Sequence, residues 1–247
     1  MLKRSIDSVT GLYSSLRQNK FRFFFEIVRP ALISGLFGLV FLLAVVTGPR
    51  SAYVNTFEYG EVLPMGNGVA WAWVEYDGAE KPVSLGVSFT ETALEGLPEK
   101  AISAEKYSCE YILLLPQKGL EPYTHIGLDW NPAGHVPPGI YDLPHFDVHF
   151  FIITPEERDR ITLEGKDLER ANKKPEPQYI PGDYILPEGT GYPRAGVHWI
   201  DPKAPEFNKQ QFMYTFIYGT YDGRLTFLEP MVTFQFLRSK QNVYRPS

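Results

Sequence analysis

The sequence predicts a mainly β protein, sandwich or barrel-like with a few short helices, preceded by one N-terminal transmembrane helix. Three observations carry that prediction. Beyond residue 50, short β-prone runs alternate with Gly, Pro and Asp-Gly punctuation. Two such runs flank Asp77-Gly78, and two more flank Tyr221-Asp222-Gly223-Arg224, both hairpin signals. Ala31 to Gly48 is an apolar run of eighteen residues without a charge.

As a helix that run would extend roughly 27 Å, close to the hydrocarbon thickness of a bilayer. Lys3, Arg4, Arg17, Lys20, Arg22 and Arg29 precede it, and only Arg50 follows before Lys81. The positive-inside rule then gives a single-pass protein of the cytoplasmic membrane, N-terminus inside. Residues 1–30 form a basic cytoplasmic segment, 31–48 the anchor, and 50–247 an extracytoplasmic β-rich domain. A cleaved signal peptide fits less well, because the preceding segment is long and Arg50 stands at the −3 position of an Ala52 cleavage site. Phe21 to Ile27, which mixes aromatics with charge, is expected at the inner membrane interface.

In the outer domain, Ala70–Tyr76 and Val83–Phe89 form the first hairpin. Ser88 and Glu91 stand at capping-box spacing, which predicts a short helix over 90–97, stopped by Pro98. Tyr107–Leu115 and Thr124–Asp129 read as strands, and His145–Ile153 as the strand that bears the site. Thr154-Pro155-Glu156-Glu157 is a helix start, with the helix running to about Leu163. The breaker-rich stretch 170–196 is a long loop of the kind that covers functional sites. Phe212–Tyr218 and Leu225–Phe236 complete the strands.

The formal net charge of −5 is uneven: +4 over residues 1–48 and therefore −9 over 49–247. An acidic body excludes nucleic acid as a partner, because phosphate binding needs a basic footprint. The single cysteine, Cys109, excludes an intramolecular disulfide and any Cys-rich zinc site, and reads as a small buried hydrophobe.

The most informative stretch is His145-Phe146-Asp147-Val148-His149. On a strand it presents His145, Asp147 and His149 on one face and Phe146, Val148 and Phe150 on the other. Imidazoles with a carboxylate suit a divalent transition metal such as zinc, iron or copper. On a straight strand, however, His145 and His149 lie about 13 Å apart. The expected site is therefore shared, with His145 or His149, and Asp147, meeting His135 and His198 beneath the proline-rich loop. The metal candidates are His135, His145, Asp147, His149 and His198; His125 is read as structural. The alternative for each histidine is a hydrogen bond to backbone or to Asp147. His145-x-Asp147 with His198 also matches a two-histidine-one-carboxylate iron triad, an oxygenase pattern that matches easily by chance. No nucleophile elbow, P-loop, dinucleotide fingerprint or His-Glu-x-x-His is present.

Four blocks resemble an uncharacterised bacterial family, first described through a protein controlled by a sigma-E/anti-sigma-E system: Gly66–Pro98, Leu128–Phe151, Gly196–Asp201 and Thr215–Leu237. The resemblance implies a β-rich extracytoplasmic domain that forms oligomers, and it supplies no activity. Three functions follow as expectations. The first is a membrane-anchored metal-binding domain. The second is a non-enzymatic envelope protein acting by homo-oligomerisation or partner binding, suggested by 15% aromatic residues. The third is an iron-dependent oxygenase.

Overall fold

The computed structural model describes residues 55–101, 108–118 and 120–239, together with the backbone of 22–28. The expected anchor at 31–48 lies outside the described residues. Among those described, no helix is long and apolar enough to cross a membrane.

Twelve strands are described: β1 (Arg22–Val28), β2 (Thr56–Tyr59), β3 (Leu63–Met65), β4 (Gly68–Tyr76), β5 (Pro82–Thr90), β6 (Cys109–Leu114), β7 (His125–Asn131), β8 (His145–Phe151), β9 (Gly191–Tyr192), β10 (Gly196–Trp199), β11 (Tyr214–Tyr221) and β12 (Arg224–Thr233). They form two sheets. The smaller runs β1-β5-β4-β2, with β3 also on β4; the larger runs β6-β7-β8-β12-β11-β10-β9 and curls as a half-barrel. Every pairing in the larger sheet is antiparallel. The backbone of β1 pairs parallel with β5, whereas the sequence places Phe21–Ile27 at the inner face of a membrane.

The strand period of two decides what lies between the sheets. Ala70, Ala72, Val74, Leu85, Val87 and Phe89 of the smaller sheet pack in one core with Ile126, Leu128, Trp130, Phe146, Val148, Phe150, Leu228 and Val232 of the larger. Cys109 belongs to the same core. The opposite face of the larger sheet, where His145, Asp147 and His149 stand, is buried too: all seven residues of β8 are buried. Ile140 and Tyr141 of the β7–β8 connection, and Tyr192, Ala195 and Phe212 from between β8 and β11, pack on it.

That cover differs in detail from expectation. The capping box at Thr154 forms, its hydroxyl accepting from Glu157 N and the Glu157 carboxylate accepting from Thr154 N, but helix α1 stops at one turn (Pro155–Arg158). Stretch 170–196 is also less loop-like than predicted. Helix α2 (Lys166–Ala171) runs into it, and a 3₁₀ turn at Pro177–Tyr179 and strand β9 follow. At the C-terminal side, Phe234–Ser239 leaves the predicted strand to form helix α3. The helix predicted over 90–97 is a 3₁₀ turn, Glu91–Leu94, capped at Thr90 without a side-chain bond. Ser88 is inside β5 and buried, so strand pairing overrides the capping-box spacing.

Both hairpin signals hold. Asp222 (φ 51) and Gly223 (φ 72) take the two positive φ angles that a tight β11–β12 turn requires. Gly219, opposite Phe227, is needed for lack of bulk: a Cβ there would lie 2.0 Å from the Phe227 ring. Gly219→Ala is expected to cost about 1–3 kcal/mol through overpacking. Urea unfolding against wild type measures it; an unchanged midpoint would show that Phe227 is free to move.

Candidate metal centre

Four strands deliver the polar groups of the buried face. Register pairs Asn131 with His145 and Asp129 with Asp147 across β7–β8, and Met231 with Asp147 across β8–β12. The parity of β12 then turns Glu229 to the same face as Met231. His198 arrives on β10, opposite Gly219 of β11, and His135 from the connection between β7 and β8.

These side chains gather as two groups, not one. The first is His135, His145 and Asp147; the second is His149, His198 and Glu229. Within each, one donor atom per residue lies within 4.8 Å of the others. The five residues expected from sequence are thus all on this face, but His149 and His198 part from the rest and take Glu229 as partner. The iron triad His145-Asp147-His198 is not among the groups; two other sets of two histidines and one carboxylate are.

In the first group, His135 Nε2 lies 3.2 Å from Asp147 Oδ2 and His145 Nε2 3.0 Å from Asp147 Oδ1. Asn131 Nδ2 donates to Asp147 Oδ2 at 2.8 Å. In the second, His149 Nε2 lies 3.5 Å from Glu229 Oε1 and His198 Nε2 3.6 Å from Glu229 Oε2. Exposure of the side chains runs from 0% at His145 to 15% at His135. Phe151, Phe212 and Phe227 rings pack against them, 4.9 to 5.4 Å from the nearest imidazole centroids.

All four imidazoles share one orientation. Nδ1 of His135 meets the Val136 carbonyl at 2.7 Å, that of His145 the Leu143 carbonyl at 2.6 Å, and that of His198 the Thr190 carbonyl at 2.7 Å. Nδ1 of His149 meets Asp129 Oδ2 at 3.1 Å. Each of these oxygens accepts, so each Nδ1 donates. A neutral ring then turns its Nε2 lone pair onto a carboxylate oxygen, two acceptors face to face. Only a proton or a metal cation between them relieves that. This Nδ1–H···O arrangement behind an outward Nε2 is how metal-binding histidines are fixed. His145 Nε2, Asp147 Oδ1 and Glu229 Oε2 are buried with no hydrogen bond among the described residues.

Without a metal the charges sort themselves among the groups. Burial would raise the Asp147 carboxyl, but the imidazoles of His145 and His135 beside it outweigh this and hold it well below the usual range. Burial depresses His135, yet Asp147 lifts it to about 9; burial likewise opposes His149, and Glu229 and Asp129 raise it to about 9. Burial pushes His198 down to about 3, reinforced by His149, and drives Glu229 up to about 8.

His125 stands apart, stacked on Phe151 with Nδ1 against Thr124 Oγ1 at 2.9 Å. Glu229, Asp129 and Asn131 escaped the sequence reading. Their signal was present: a lone carboxylate within the apolar run Leu225–Met231, and a polar alternation Asp129-x-Asn131.

The fold and this face define a β-sheet protein whose buried His/Asp/Glu groups are positioned to hold a metal ion. A family profile described as "TTHB210-like: Hypothetical protein TTHB210" matches residues 77–130. The chain is thereby similar, over β5, β6 and most of β7, to a family of no described activity; the match ends before His135. No curated protein matches the chain, and no solved structure does.

Proposed function

We propose that this protein is a metalloprotein whose buried sheet face binds a divalent transition metal through paired imidazoles and a carboxylate. The observation that carries this is the common orientation of the four histidines, each Nδ1 donating to a fixed oxygen and each Nε2 aimed at a shared carboxylate. Three protein donors per ion match open metal sites, which keep a position for water or another ligand. Nitrogen and carboxylate donors without sulfur suit zinc, iron or copper over calcium or magnesium. Elemental analysis of the purified chain tests the reading. Wild type is expected to retain or take up zinc, copper or iron, and His145→Ala/His149→Ala to lose it. Equal metal content in the two, or none in either after incubation with each ion, would overturn it.

We further propose, from the uncharged run 31–48 and the basic flank before it, that the chain is membrane-held with its β domain outside the cell. The sequence blocks around the site support a wider kinship with the sigma-E-associated family, including its tendency to assemble into homo-oligomers. A single crossing by 31–48 would separate β1 from β5, so topology is directly measurable. With Cys109 replaced by Ser, a cysteine at position 5 should react with an impermeant maleimide only after the membrane is opened. Labelling in intact cells would place both flanks on one side and leave the β1–β5 pairing in force.

A further inference from the structure

Resting on the metal reading, we propose that the two triads form a single two-ion centre that takes a small oxyanion as bridging ligand. Three features point there. First, the triads are neighbours by construction. Asp147 of one and His149 of the other are two apart on the same face of β8, about 7 Å at the backbone. Each triad is compact in itself, with the His149 and His198 ring centroids 6.4 Å apart and those of His135 and His145 4.7 Å apart. Second, one residue lies across both. The Tyr192 ring centroid is 6.4 Å from that of His135 and 5.4 Å from that of His198. Its strand, β9, follows Thr190, whose carbonyl orients His198, so the same short segment fixes one ligand and roofs both groups.

Third, the donor set is incomplete in charge and number. Each triad offers two imidazoles and one carboxylate. Two divalent ions bring four positive charges, against the three carboxylates Asp147, Glu229 and Asp129 in the shells and directly behind them. A positive excess enclosed by Phe151, Phe212 and Phe227 draws an anion, and an open position on each ion lets one anion join the two. Donor exposure no greater than 15% limits that anion to a few atoms, of phosphate or carboxylate size.

The test loads the full chain with Cu²⁺ and reads stoichiometry by elemental analysis and coupling by electron paramagnetic resonance. Wild type is expected to hold two ions with a dipolar-broadened spectrum. Glu229→Gln, and separately His198→Ala, should drop the content twofold and leave the sharp spectrum of an isolated ion; Asp147→Asn should do so from the other side. Inorganic phosphate or acetate should change the coupling between the two ions in the wild-type spectrum, an effect that the single-ion variants cannot show. One ion per chain, unaffected by Glu229→Gln and His198→Ala, would overturn the two-ion centre and leave the metal reading standing. Two uncoupled ions, or a spectrum indifferent to both anions, would overturn the bridge. No copper in any chain would remove the metal reading itself. Urea unfolding of each variant separates lost ligands from lost fold.

Discussion

Asp147→Asn should remove the part of any zinc stabilisation that its own triad supplies, leaving that of the Glu229 triad, and should destabilise the metal-free protein by about 3–5 kcal/mol. Both effects come from the same atoms. In the absence of metal, Asp147 is the counter-charge for His135 and lies 3.0 Å from His145 Nε2, and its side chain is only 8% exposed. An amide of the same shape cannot balance a buried imidazolium. With metal, Asp147 is the carboxylate donor of its triad, and a ligand that binds only the folded state stabilises it by about 2.7 kcal/mol at a concentration a hundredfold above Kd. Urea unfolding with and without zinc separates the terms. Asn131→Ala gives the graded companion: it removes the Asn131 hydrogen bond that orients Asp147 and should weaken metal binding about 10–100-fold. An Asp147→Asn protein that zinc stabilises as much as wild type would show that no ion sits at Asp147.

How the site could be read in the sequence follows from the strand period. His145, Asp147 and His149 share a face because successive residues alternate, and Phe146, Val148 and Phe150 are in the core for the same reason. The same geometry predicted that one straight strand cannot bring both histidines to one ion, and the structure divides them between two carboxylates. The division itself was not legible, because it depends on register between strands far apart in sequence. Glu229 reaches His149 only because β12 lies beside β8, with Met231 opposite Asp147. In sequence it is one acid in an apolar run, 80 residues from His149.

The sheet order shows the same limit. The hairpins at Asp77-Gly78 and Asp222-Gly223 are local, and turn chemistry announces them. The insertion of β12 between β8 and β11 is not local, and neither is the parallel pairing of β1 with β5. Helix lengths failed for a related reason. Thr154 caps a helix start whatever follows, but α1 ends after one turn where Arg158 turns inward to meet Glu110 and Phe151. A tertiary contact ended a helix that local signals favoured.

That contact is the second place where one substitution should have a large effect. Glu110→Ala is expected to cost about 3–5 kcal/mol, most of it from the guanidinium left behind. Arg158 is 5% exposed. Its Nη2 pairs with Glu110, its Nε donates to the Arg194 carbonyl at 3.0 Å, and its Cζ lies 4.3 Å from the Phe151 ring centroid. Its Nη1 already has no hydrogen bond among the described residues, so removing Glu110 leaves little compensation. Arg194, which also binds Glu110 at 2.9 Å, is one-third exposed and can turn to water or to Asp159. The double variant Glu110→Ala/Arg158→Met should recover most of the loss, since methionine in place of Arg158 leaves no buried charge that needs a counter-charge. Acid provides an independent reading. Burial would raise the Glu110 carboxyl, but Arg158 and Arg194 outweigh it and hold it below its ordinary value. Its contribution is therefore complete above the ordinary value near 4.5 and is lost as pH falls through the lowered one. The wild-type urea midpoint should fall over that range, and the double variant's should fall less. The same pin reaches the metal face. Phe151 stacks against His149 at 5.4 Å, and Arg194 stands two residues after Tyr192. Releasing Glu110 should thus lower copper or zinc affinity in a chain whose donor atoms are all intact, whereas unchanged affinity would confine Glu110 to holding the fold.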